Sequence, residues 1–205
     1  MFVSSPGRIR RRHVKDLIKY LESKKTRSHT GPRVEGYLEH GPQALWIGSG
    51  SLRVGLKPNT VARSREATRL MMGFAPERVQ GDDGQWHEVP LCADAGNENE
   101  WCAIDFTMGV PKSVSVLWAV SDKYTRHAIE SAVTAATMAF VSHLEAFATP
   151  MRRRDPATGE VIHEKAAGLI AAAYRHDTSR PVGGETAPQL HDHILIAAVA
   201  PRVVK

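Results

Sequence analysis

Residues 166–199 read AAGLIAAAYRHDTSRPVGGETAPQLHDHILIAAV, and this stretch decides the fold class. Two strand-length apolar runs, AAGLIAAAYRH and PQLHDHILIAAVA, are joined by the polar loop DTSRPVGGETA. Just upstream, MRRRDPATGEVIHE (151–164) sets a DPATG turn between two strand-like arms, a hairpin signal that favours antiparallel pairing. WCAIDFTMGV (101–110) reads as another strand, after which Pro111 opens a new element. Residues 80–100 are loop-rich, QGDDGQ forming a turn before the short strand WHEVPL. Helical patterns interrupt the strands. Residues 14–25 carry Val14, Leu17, Ile18 and Leu21 at i, i+3, i+4 and i+7, and residues 63–73 stop at Gly73. Residues 123–148 place Ile129, Val133, Ala136, Phe140, Leu144 and Phe147 at steps of three and four. Strands and helices are mixed, so the class is α+β.

The deciding stretch also carries chemistry. His191 and His193 sit two apart in a strand, so both imidazoles face the same side. Apolar residues follow on both faces, which marks a central strand entering the core. His176 ends the preceding strand and completes a set of three nitrogens if the two strands are neighbours. Three neutral imidazoles suit a divalent cation with positions left for substrate or water. Asp105, among Ile104, Phe106 and Val110, is the natural acceptor for the free N–H of one of these rings. Spacing alone also allows plain alternatives: histidines satisfied by hydrogen bonds at a strand end, and an ordinary strand-end aspartate.

Composition narrows the classes. The chain has 205 residues, 42% hydrophobic and 24% charged, enough for one domain with a core and too apolar for wholesale disorder. No run approaches the ~20 apolar residues of a membrane span, and MFVSSPGRIRRRHVK lacks the apolar centre of a secretory signal. Cys92 and Cys102 lack metal or redox spacing and read as reduced thiols in a cytoplasmic protein. Charge is uneven. Residues 1–33 hold ten Lys/Arg against Asp16 and Glu22, a net of +8, whereas the whole chain is +5. A basic N-terminal arm and helix on a mildly acidic body suits phosphate-backbone binding, with Arg10, Arg11 and Arg12 as its densest cluster.

Four segments, in order, carry a family resemblance. DFTMGVPKSVSVLWAV (105–120) resembles the signature of TrwC/TraI-type conjugative relaxases. RHDTSR (175–180) with PQLHDHILIA (188–197) is similar to that family's metal motif, YLEHGPQALWIGSGSLRVGL (37–56) to its early segment, and MRRRDPATGEVIHEKAAGLIAAAYRH (151–176) to the hairpin and strand between. Together they span roughly residues 14–200. The resemblance implies an HUH-type endonuclease with a palm-like antiparallel β-sheet flanked by helices. Its implied activity is a strand-specific cut in single-stranded DNA at a transfer origin by metal-assisted tyrosine transesterification, giving a 5′-phosphotyrosyl adduct. His176, His191 and His193 would hold the divalent metal, Mg²⁺ or Mn²⁺ first and Zn²⁺ as the alternative. Asp105 would orient one ring and help deprotonate the nucleophile. Lys112, Ser113 and Arg180 fall in matched motifs as DNA-contacting or site-shaping residues. Relaxosome and type IV secretion coupling proteins would be further partners, in the cytoplasm and without membrane insertion.

The nucleophile departs from the family pattern. The usual two Tyr-Tyr pairs are each reduced to one residue: Tyr37, nine before Trp46, matches the second pair, and Tyr20 is left for the first. Tyr20 lies at the edge of the apolar stripe of its helix, from which its hydroxyl can reach a cleft, and is the expected nucleophile. Tyr124 and Tyr174 read as packing residues. Asp192 stands between the two histidines where the family usually has Thr, and should be tolerated because it points away from them. The chain stops soon after the histidine strand, so residues 1–205 read as one partial relaxase domain, truncated at its C-terminus. The alternatives are an origin-binding module that no longer cuts, and a His-ligated zinc hydrolase using metal-bound water.

Overall fold

The computed structural model describes residues 2–4, 6–22, 44–147, 150–155, 157–180 and 186–202. Along the chain run β1 (Phe2–Val3), β2 (Gly7–Arg10), α1 (Val14–Glu22), β3 (Leu45–Ile47) and α2 (Ser64–Met71). Then come β4 (Val79–Gln80), β5 (Trp86–His87), β6 (Trp101–Gly109), α3 (Lys112–Val120) and α4 (Lys123–Phe147). The chain closes with β7 (Pro150–Arg154), β8 (Val161–Lys165), β9 (Ala171–Thr178) and β10 (Pro188–Ala197). Six strands form one sheet in the order β1, β6, β10, β9, β3, with β2 following β1 along the same edge of β6. Every pairing in it is antiparallel. β4–β5 and β7–β8 are separate two-stranded ribbons, the second being the hairpin expected around DPATG.

β10 lies at the middle of the sheet because it is apolar on both faces once past His193. Leu195 and Ala197 join the larger core with Trp46, Tyr174, Leu70 and the buried stripe Val14, Ile18 and Leu21 of α1. Ile194 and Ile196 face the other way, onto Met108, Ala171 and Val141 of α4. The sheet is thus covered on both sides, by α1 and α2 on one and α3 and α4 on the other. The glycines of WIGSGS serve this closure. Gly50 N–H donates to Leu169 O at 2.9 Å, and a Cβ on Gly50 would lie 2.7 Å from Gly168 O, so only bare backbone fits.

Several local expectations change. α4 buries Val133, Thr137 and Val141, but Phe147 at its end is 79% exposed. Tyr174 is fully buried, and burial pushes its phenol above the ordinary tyrosine range. Tyr124 is not a packing residue: it is 76% exposed in the first turn of α4, with the Lys123 ammonium 5.0 Å from its ring centre. The expected N-terminal helix is α1, packed on the sheet, and residues 7–10 before it are no free arm, since β2 pairs with β6. Arg11 in particular leaves the set of DNA-facing cations. Its side chain is 2% exposed, pairs with the Asp94 carboxylate at 3.0 Å, and also donates to the Asp94 and Asn97 carbonyls. A guanidinium so committed has no path to a phosphate. No helix among the described residues is long and apolar enough to cross a membrane.

Candidate metal centre and its tyrosine

The register of three strands assembles the site. His191 pairs across to His176 on β9, and His193 pairs with Thr107 on β6 and Tyr174 on β9. The three imidazoles form a near-equilateral triangle, with ring centres 5.3 Å apart (His176–His191), 5.1 Å (His176–His193) and 5.3 Å (His191–His193). One ligand atom from each lies within 4.8 Å of the others, the one such group of metal-type donors among the described residues. His176 is buried and the other two are half-buried.

Each ring already has one nitrogen engaged with an oxygen acceptor. His176 Nε2 donates to Leu21 O of α1 at 2.9 Å, and His191 Nδ1 to Gln189 O at 2.8 Å. His193 Nδ1 lies 3.0 Å from Asp105 Oδ2 and 3.2 Å from Oδ1. These partners fix the tautomers and leave the second nitrogen of each ring as a lone pair. That donor chemistry fits a divalent cation: three neutral imidazoles, each oriented by an oxygen behind it. Burial, reinforced by the neighbouring imidazoles, depresses the pKa of His176 and takes that of His191 down to about 4.

The depressed pKa has a stability consequence. Between about pH 6.5 and 4 the unfolded chain protonates His191 while the fold keeps it neutral, so the metal-free protein should lose stability as pH falls through that window. The shift, from 6.5 to about 4, corresponds to on the order of 3 kcal/mol. Denaturant melts at pH 7, 5.5 and 4 should show the loss, and His191→Gln should flatten it. An equally steep decline in the variant would refute the assignment.

Tyr20 sits on the last turn of α1, 42% exposed, its ring 6.2 Å from that of His176 and inclined at 70°. Val14, Ile18 and Leu21 anchor the helix, and the Leu21 carbonyl that orients His176 belongs to the next residue. Tyr37 lies outside the described residues. Of the expected DNA contacts, Ser113 and Arg180 are exposed, as is Arg12. Arg10 stacks over Trp101 at 4.4 Å and donates to Asn99 O. Lys112 is engaged within the fold, donating to Pro188 O at 2.6 Å.

Sequence reasoning missed the grip on the start of β10. Leu190 N–H donates to Ser115 Oγ at 3.0 Å, beside the Lys112–Pro188 bond, so the PKSVS segment holds the first residues of β10, just before His191. Ser115 and Trp118 are the buried pair of α3, three apart. That spacing is legible as an inward face, and it favours Ser115 over the exposed Ser113.

No curated protein matches the chain. Solved structures do. The metal-bound complex of the conjugative relaxase TrwC with oriT DNA matches at 22% identity and TM-score 0.64, covering 96% of this chain and 56% of that one. The copper-bound TrwC–oriT complex matches at 24% and 0.68, covering 98% and 59%. TrwC with a 27-mer DNA comprising the recognition hairpin and cleavage site matches at 22% and 0.63, covering 96% and 55%. At such identity the likeness is one of fold, and this chain spans little more than half of each relative's length. A family model is more specific: that of the TrwC relaxase matches residues 14–202, from the first residue of α1 to beyond β10. The chain belongs to the TrwC relaxase family.

Proposed function

We propose that the chain nicks single-stranded DNA at a transfer origin by tyrosine transesterification. The observation that carries this reading is the edge-on approach of Tyr20 to His176, 6.2 Å between ring centres, within a triad whose rings each keep one nitrogen lone pair. His176, His191 and His193 hold a divalent cation, Mg²⁺ or Mn²⁺. When bound, the cation supplies Lewis-acid polarisation of the scissile phosphate. Asp105 orients His193 and serves as the acceptor for the phenolic proton. Tyr20 Oη then bonds to phosphorus, the bond from phosphorus to the 3′-oxygen breaks, and that oxygen leaves as a hydroxyl after protonation. The 5′ end stays on the tyrosine as a phosphodiester, so the step is reversible and needs no nucleotide. Arg12 and Arg180 offer exposed charge to the backbone, with Arg10, Lys112 and Ser113 shaping the approach.

The test is incubation of the chain with Mg²⁺ or Mn²⁺ and single-stranded oligonucleotides spanning the transfer region of its own replicon, followed by a denaturing gel. A protein band shifted by the length of the 5′-linked product is expected. Cut DNA without a shifted band would favour metal-bound water as nucleophile. Binding without either product would make the chain an origin-binding module.

A further inference from the structure

The side chain between the two histidines is committed to the opposite face of the sheet. Asp192 is 2% exposed there and receives two parallel hydrogen bonds from Arg175, Nε to Oδ1 at 2.8 Å and Nη2 to Oδ2 at 2.9 Å. Thr137 of α4 donates to the same carboxylate at 2.6 Å, and Arg175 Nη1 donates to the Glu130 carbonyl of α4 at 3.1 Å. Both carboxylate oxygens of the buried Asp192 and all three guanidinium nitrogens of the half-buried Arg175 are therefore engaged.

Holding the sheet to α4 does not require charge. Ile194, Ile196 and Ala171 already pack on that face, and desolvation offsets most of what a buried ion pair gains by attraction. What a bidentate pair adds is geometry, because both bonds form in only one relative position of the strands. Arg175 and Asp192 are direct cross-strand partners on the rung next to His176 and His191. One rung further out the register breaks: from Pro188 to His191 is three residues on β10, against two from Thr178 to His176 on β9. An alternative pairing thus lies a single step away. That step would turn His191 and His193 toward α4 and away from His176, since a one-residue slip moves every side chain to the other face.

We propose that Arg175 and Asp192 form a register latch for the histidine triad. They are positioning residues, acting on the site through the two strands they share with it, and the consequence for metal rests on the function proposed above. The latch itself does not.

Two readouts on the full chain test it. Cross-strand nuclear Overhauser contacts between residues 176 and 191 report the register without metal, and Mn²⁺ titration calorimetry reports the donor set. In the double variant Arg175→Met with Asp192→Leu the packing is kept and the fork removed. It should fold and melt cooperatively, yet split or lose the 176–191 contacts and bind Mn²⁺ about tenfold more weakly or worse. Arg175→Lys, which keeps the charge without the fork, should show the same two changes to a smaller degree, and it decides the matter should the double variant fail to fold. A single set of parental contacts with parental Mn²⁺ affinity in either folded variant would overturn the latch. A parental chain that binds no Mn²⁺ would instead overturn the metal reading, with the contacts still deciding the register.

Discussion

Tyr20→Phe should abolish the covalent protein–DNA adduct while leaving single-strand affinity within about twofold of the parent. The ring, its packing on α1 and its edge-on contact with His176 survive the change, and only the hydroxyl is lost. Removing an essential nucleophile commonly costs several orders of magnitude, so a fall of roughly 10³-fold or more is expected. Geometry favours Tyr20 because the attacking oxygen must come within about 3–3.5 Å of phosphorus held at the triad, and α1 is fixed on both sides of this residue. Ile18 and Leu21 are buried, and Leu21 O is bonded to His176. A denaturing gel and a fluorescence-anisotropy titration of each variant read the two quantities. If Tyr20→Phe still forms adduct and Tyr37→Phe does not, the attacking residue is Tyr37.

The central strand was legible in the sequence for a definite reason. Apolar residues on both faces after His193 can be buried only in the middle of a sheet, and the i, i+2 histidines then have one shared face. His176 followed from antiparallel pairing, and Asp105 from the cost of an unpaired carboxylate among apolar neighbours. What escaped is what depends on partners remote in sequence. Arg11 looks like its basic neighbours, and nothing local announces the Asp94 side chain 83 residues away that takes it inside. Phe147 keeps the helical period of α4 but is left exposed, because period gives the direction of a face and not how far its partner extends. Asp192 points away from the histidines, as alternation along a strand requires. That its carboxylate closes a fork with Arg175 could not be read without the register of β9 on β10.

The second large effect separates holding the cation from orienting its ligand. His191→Ala removes one of three donors and should weaken Mn²⁺ binding by about 100-fold or more, with adduct formation falling in parallel at limiting metal. Asp105→Asn keeps all three imidazoles and the shape of the group behind His193, but replaces a carboxylate by an amide against Nδ1. Loss of such an oriented acceptor typically costs 10–100-fold in affinity or activity, about tenfold being expected here. The two variants should diverge at saturating Mn²⁺. His191→Ala remains defective, since a vacant position cannot be restored by mass action alone. Asp105→Asn recovers its metal but still forms adduct slowly, because the acceptor for the phenolic proton is gone. Calorimetry for affinity and single-turnover gels at low and saturating Mn²⁺ provide the comparison. Full recovery of Asp105→Asn at saturation would confine Asp105 to orienting His193 and send the phenolic proton elsewhere. Undiminished adduct formation by His191→Ala in the presence of a chelator would remove metal from the reaction altogether.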